Sequence, residues 1–173
     1  MSKRKIVIEP DPILRKKSDS IEKVDQNFRK LLDDMLETMY AAPGIGLAAI
    51  QIGIPKRIIV VDISKDGKKN PMYFVNPIIN NKDKEQTTYE EGCLSVPDYF
   101  AEVDRPKYCE VDYLDYNGKS KVLEADGLLA TCIQHEMDHL EGILFIDYLS
   151  KLKKTMIVKK LSKRKNPPDR IIV

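Results

Sequence analysis

Both histidines of this chain fall in one five-residue word, His135-Glu136-Met137-Asp138-His139. On a helix, residues i and i+4 lie on the same face, so imidazoles at that spacing can close on a single metal ion. Glu136 sits about 100° further round the helix than His135. Its carboxylate can then reach a water on the metal without filling a coordination position. The chemistry this spacing suggests is hydrolysis by a metal-activated water. A chance word on a solvated helix is the plainer reading, and the capture of both histidines by the word weakens it.

A catalytic site of this kind usually has three protein ligands and one open position. Gly142 stands where one class of zinc protease has a glycine, but the next ligand position is Phe145 rather than histidine. No glutamate follows Glu141, which is two residues past His139 and points to a different face. The third ligand must come from upstream, or be Asp147. Thiolate is a strong ligand for such metals, which directs attention to the three cysteines. Cys132 lies one helical turn before His135, but three ligands converge poorly from one straight helix. Cys109 falls on an apolar strand face and reads as a core thiol. Cys93 lies in Glu90-Glu91-Gly92-Cys93-Leu94-Ser95, read as a loop where Gly92 permits unusual backbone angles. A cysteine there can aim its thiolate and the next amide at a metal; an inert buried thiol is the competing reading.

These residues need elements to hold them. Phe28, Leu31, Leu32, Met35, Leu36 and Met39 recur at helical spacing between Asp25, a suitable N-cap, and the stop at Pro43-Gly44. Arg57 to Ile63 and Tyr73 to Ile79 read as strands, the first followed by a turn at Asp66-Gly67. Lys107 to Tyr116 alternates, with Cys109, Val111 and Tyr113 on one face. Asn117-Gly118 then turns the chain into a strand over Lys119 to Ala125. A helix from Gly127 to Glu141, ended by Gly142, carries the histidine word. Leu128, Leu129, Cys132, Ile133, Met137 and Leu140 make it apolar round much of its circumference, so it should be buried on several sides. The expectation is an α+β fold, with antiparallel β-sheets packed around this central helix, an N-terminal helix and a C-terminal helix.

The 173 residues suit one domain, with residues 1–150 as its catalytic part. Residues 151–173 read as a basic C-terminal helix and tail of the same domain. They hold nine Lys or Arg and one acid, Asp169, against 20 bases and 26 acids before them. That segment is either a solvated terminal helix or a surface drawn to a polyanion such as ribosomal RNA. No apolar run approaches the length needed to span a bilayer. The start of the chain has no long apolar stretch of the secretory kind. Three irregularly spaced cysteines do not make a disulfide framework. A cytoplasmic, monomeric protein without a membrane partner is expected.

Three words converge on one family. Gly44-Ile45-Gly46-Leu47-Ala48-Ala49-Ile50-Gln51, Glu91-Gly92-Cys93-Leu94-Ser95 and Gln134-His135-Glu136-Met137-Asp138-His139 closely resemble the three signature motifs of bacterial peptide deformylases, in order and at similar spacing. The likeness extends to Leu123-Glu124-Ala125-Asp126-Gly127-Leu128. It implies Cys93, His135 and His139 as ligands of ferrous iron (Fe2+), for which zinc, nickel or cobalt can substitute. It implies hydrolysis of the formyl group from N-formylmethionyl nascent peptides, with formate as product. Glu136 would carry the proton from water to the leaving amine. The Gln51 side-chain amide and the Leu94 backbone N–H would face the charge that builds on the formyl oxygen. Gly44 and Gly46 let a substrate chain approach closely, and Gly46 would pair with it as a strand does. Ile45, Tyr89, Leu128, Thr131 and Cys132 resemble the lining of the methionine pocket, and each also reads as plain core. Glu91 would hold a ligand or loop in place. Phe100 stands where one branch of the family has arginine, and Tyr89 replaces a smaller aliphatic; both bear on the shape of the pocket and its rim.

Two other classes compete. A zinc peptidase is disfavoured by the missing third-ligand patterns of that class and by the Cys93 word. An inactive RNA-binding module using the basic tail is disfavoured by the full set of Gln51, Cys93, His135, Glu136 and His139.

Overall fold

In a computed structural model, residues 2–65 and 67–163 are described. Asp66 of the expected turn and residues 164–173 of the basic tail lie outside them. The fold is α+β, as the order of elements implies. Among the described residues the α-helices are α1 (Gln26–Ala41), α2 (Gly127–Leu140) and α3 (Lys151–Ser162). Strands β1 (Gly46–Ala48), β2 (Ile58–Val61), β3 (Met72–Lys82), β6 (Tyr108–Leu114) and β7 (Ser120–Asp126) form an antiparallel sheet in the order β1-β2-β3-β6-β7. Strands β4 (Gln86–Cys93) and β5 (Val96–Pro106) form a separate hairpin.

The four residues of β2 show how sequence makes layers. Ile58, Ile59, Val60 and Val61 are all fully buried, and β-branched side chains suit a pleated surface. Strand alternation sends Ile58 and Val60 to a cluster with Leu32, Met35 and Met39 of α1. It sends Ile59 and Val61 to a second cluster with Ala130, Cys132, Ile133 and Leu140 of α2. The sheet therefore has α1 on one face and α2 on the other. Cys109 and Val111 of β6 join the α2 cluster, as their alternation predicts. At about 25 cal/mol per Å2 of apolar surface removed from water, two such layers are the main favourable contribution to folding.

Local signals mark the helix ends. The Asp25 carboxylate accepts from the Phe28 N–H at 3.0 Å, capping α1. The Ser150 hydroxyl accepts from the Lys153 N–H at 3.3 Å and starts α3. Helix α2 ends at Leu140, with Glu141 at the cap position and Gly142 next at φ 74°. A third cluster joins the hairpin to the chain beyond α2. Val96 and Val103 of β5 pack with Leu144, Phe145 and Ile146 and with Leu161 of α3.

The hairpin corrects one expectation. Residues 90–95 are not a loop throughout: Glu90 to Cys93 are the end of β4, and the register slips between Gly92 and Cys93. Gly92 does not take a positive φ; an added Cβ would lie 2.6 Å from the ring of Phe100, its partner on β5. Close packing rather than backbone angle explains this glycine.

Candidate metal centre

Helix α2 reaches the site as the most buried helix of the fold's centre. Residues Ala130 to Glu136 are buried without interruption, as are His139 and Leu140. The end of β4 brings Cys93 against it. The Cys93 Sγ lies 3.3 Å from His139 Nε2. Candidate ligand atoms of Cys93, His135 and His139 all lie within 4.8 Å of one another. One thiol and two imidazoles so gathered fit a borderline-soft divalent metal.

The other two cysteines do not join this group. Cys132 faces the carbonyl of Ile45 at 3.6 Å, and burial pushes its thiol well above the ordinary range. Cys109 is fully buried in the α2 cluster, with burial pushing its thiol up to about 11. Asp147, open as a ligand on sequence grounds, is instead bonded to Arg15 at 2.6 Å and to the Leu144 N–H at 2.9 Å.

The two imidazoles have different surroundings. Glu91 shares one face of β4 with Cys93, and its Oε2 lies 2.8 Å from His135 Nδ1. Burial would raise the Glu91 pKa, but contacts with His135 and Arg105 outweigh it and hold the group below the usual carboxylate range. An ionised carboxylate only accepts, so His135 Nδ1 carries a proton. Burial would lower the His135 pKa, but contacts with Cys93 and Glu91 outweigh it and hold the ring well above its ordinary value, so Nε2 becomes available to a metal only as its own proton leaves. Burial likewise lowers the His139 pKa well below the ordinary value, keeping that ring neutral. Arg105, itself buried, donates to both Glu91 oxygens, through Nε and through Nη2 at 3.0 Å, and to Asp138 through Nη1 at 2.8 Å. Arg105 and Asp138 carry no sequence signal for this role. The two ends of the Arg105–Glu91 pair are 14 residues apart on neighbouring strands.

Glu136 is buried, and its pKa is raised to about 7, by burial first, against the pull of His135. A carboxyl near 7 can take and return a proton at neutral pH. Its Oε2 has no hydrogen-bond partner among the described residues. A Cβ added to Gly46 would collide with its Oε1, so the strand and the carboxylate fit only because residue 46 has no side chain.

Gln51 sits in a short 3-10 turn, Ala49–Ile52, directly after β1. Its Oε1 accepts from the Ala48 N–H at 2.8 Å, which fixes the amide's orientation. Its Nε2 then points to Cys93 Sγ at 3.5 Å and to the buried Ser95 hydroxyl at 3.2 Å. Ser95 was legible only as the end of the Glu91–Ser95 word. The residues before the first helix tie these pieces together: the Val7 N–H donates to the Gln51 carbonyl at 2.7 Å, and the Glu9 N–H to the Ser95 carbonyl at 2.9 Å.

The three sequence words therefore meet. A Cβ on Gly44 would stand 2.8 Å from Leu94 Cδ1, so the first word lies directly against the second. The Ile45 carbonyl meets Cys132 of α2, while the Ile45 side chain is exposed. Leu128, Thr131, Cys132 and His135 follow one face of α2 at helical spacing. The Tyr89 hydroxyl reaches the first residue of that helix, 3.6 Å from the Cβ position of Gly127.

Comparison with known proteins gives one consistent result. The model of the family described as polypeptide deformylase matches residues 3–155. A peptide deformylase of Pelagibacter ubique is 69% identical, covering 100% of both chains. One from Rhizobium meliloti is 56% identical over 94% of each. Among solved structures, peptide deformylase from Ehrlichia chaffeensis in complex with actinonin superposes with a TM-score of 0.92 at 45% identity, covering 96% of this chain and 100% of that one.

Gly46→Ala tests the fit of strand to carboxylate. The added methyl forces Glu136 or β1 aside, and a displacement on the scale of 1 Å is expected to cost about 100-fold in turnover. Circular dichroism and the thermal midpoint should stay close to those of the parent. Unchanged turnover would show that the Glu136 position is not constrained by Gly46.

Proposed function

The chain belongs to the polypeptide deformylase family, hydrolases that remove the formyl group from N-terminal formylmethionine, and from that premise we propose how its own residues carry the reaction. Cys93, His135 and His139 hold the metal, with the 3.3 Å approach of Cys93 Sγ to His139 Nε2 as the observation that carries this assignment. When bound, the metal supplies a Lewis acid that makes water nucleophilic near neutral pH. The donor set accommodates zinc, nickel, cobalt or iron, and the family resemblance favours ferrous iron.

Each protein group then has one task. Glu136 accepts the proton of the attacking water and returns it to the amine nitrogen as the carbon–nitrogen bond breaks and formate leaves. The Gln51 amide and the Leu94 N–H donate to the formyl oxygen as it gains charge, a type of contact commonly worth about 3–4 kcal/mol in the transition state. The Ala48 N–H and the Ser95 hydroxyl hold the Gln51 amide in place, and the N–H now facing Cys93 Sγ is the one that would turn to the formyl oxygen. Glu91 fixes the His135 ring. Gly44, Ile45 and Gly46 align the peptide main chain, and Ile45, Tyr89, Leu128, Thr131 and Cys132 enclose the methionine side chain.

Residues 1–150 with the following helix act as one catalytic unit, a reading supported by Leu161 of α3 in the same cluster as Val96 and Val103. No helix among the described residues is long and apolar enough to cross a membrane. We read the protein as a cytoplasmic monomer, where reducing conditions keep the Cys93 thiol available. Lys151, Lys153, Lys159 and Lys160 are exposed on α3, and this basic surface suits contact with the ribosome from which nascent chains emerge.

Two experiments test these assignments. Protein prepared anaerobically with iron should release formate from formyl-Met-Ala-Ser. Glu136→Ala should retain stoichiometric metal yet lose turnover by about 100- to 10,000-fold. Full activity in that variant would remove the proton-transfer role. For the basic helix, replacing Lys151, Lys153, Lys159 and Lys160 by glutamate should weaken cosedimentation with ribosomes at low salt while leaving tripeptide turnover intact. Equal sedimentation at every salt concentration would return the helix to a solvated surface.

A further inference from the structure

We propose that Tyr148 is a positioning residue for the metal-binding ring of His135, acting through Asp138, Arg105 and Glu91; this rests on the ligand assignment above. Tyr148 closes a short 3-10 turn, Phe145–Tyr148, that comes after α2. Its hydroxyl donates to Asp138 Oδ2 at 2.7 Å. The same oxygen accepts from Arg105 Nη1 at 2.8 Å. The opposite edge of that guanidinium grips both oxygens of Glu91, and Glu91 Oε2 lies 2.8 Å from His135 Nδ1. Four contacts thus run without a gap from a half-exposed phenol to a buried imidazole.

The chain can transmit position because of the chemistry of its middle member. A guanidinium is planar, with donors in a fixed fork, so it cannot rotate at Asp138 without also rotating at Glu91. Tyr148 holds it on two sides. Its hydroxyl fixes the Asp138 carboxylate, and its ring lies over the Arg105 guanidinium carbon, 5.0 Å from the centroid. The Asp138 side chain is more exposed than those of Glu91 and Arg105, at 19% against 5% each. It is therefore the member that water can draw away, and the Tyr148 hydroxyl opposes this. The same turn also touches the ligand directly, since the Phe145 ring stacks near the His135 ring at 6.2 Å and 25°.

Removing only the hydroxyl separates positioning from support, because Tyr148→Phe keeps the ring over Arg105. The intact protein is loaded with nickel, and metal release to excess chelator is timed. Distant partners of metal ligands typically alter metal affinity by about 10- to 100-fold. At four contacts' remove, release from Tyr148→Phe is expected to quicken by about 3- to 10-fold, and likewise from Asp138→Asn. The double variant should release no faster than the faster single one, since both break the same chain. For formyl-Met-Ala-Ser, kcat should fall while KM holds. Tyr116→Phe, which removes a hydroxyl bonded to Asp33, serves as the control and should release metal at the parent rate. Parent-like release from both Tyr148→Phe and Asp138→Asn would overturn the inference and leave the ligand assignment standing. Failure of the parent protein to bind nickel would overturn both.

Discussion

The buried carboxylate of Glu91 is the interaction on which the site depends. It accepts from Arg105 on β5 and from His135 on α2, so one side chain ties the hairpin to the central helix. Glu91 and both of its partners are nearly inaccessible to solvent. A buried ion pair broken on one side costs about 3–5 kcal/mol, because the remaining charge stays uncompensated. The group is thus satisfied only in the assembled state, which couples formation of the ligand set to the docking of β4 and β5 on α2. The same carboxylate keeps a proton on His135 Nδ1, which leaves Nε2 as the nitrogen that can face a metal.

The rest of the fold supplies the surface against which α2 is pressed. Alternate residues of β2 serve different helices, so the sheet is a shared wall rather than the floor of the site. Its edge strand β1 is the part closest to the chemistry. There Gly46 meets Glu136, and the following turn presents Gln51 to Cys93 and Ser95. Segments distant in sequence are locked by backbone bonds from Val7 and Glu9, which hold the Gln51 turn and the Ser95 segment at a set separation. Rigid placement of this kind is what lets hydrogen-bond donors stabilise developing charge without first reorganising.

Much of this was legible from residue types and spacing. The period of α1, its Asp25 cap, the Asn117-Gly118 hairpin and the all-round apolar character of α2 are local patterns, and they correspond to local structure. Cys93 stood out because no ligand followed His139. The end of β4 was hidden because Glu90, Glu91 and Gly92 do not look like a strand. Glu91 faces inward only because Arg105 awaits it from the next strand, and hydrophobic periodicity cannot register a buried charge with a remote partner. Gly92 reads in sequence as a backbone requirement, whereas the ring of Phe100 is the cause. Asp138 and Tyr148 give no signal for a similar reason: each matters through its neighbour, not through its own spacing.

The proposed metal ligands are one thiolate and two imidazoles from two elements. X-ray absorption at the metal edge of the loaded protein measures this directly. One sulfur at about 2.3 Å and two imidazole nitrogens at about 2.0–2.1 Å are expected for the zinc form. In Cys93→Ser the sulfur shell should be lost, with both nitrogens kept. A spectrum without sulfur, or a sulfur shell that survives Cys93→Ser, would contradict this ligand set.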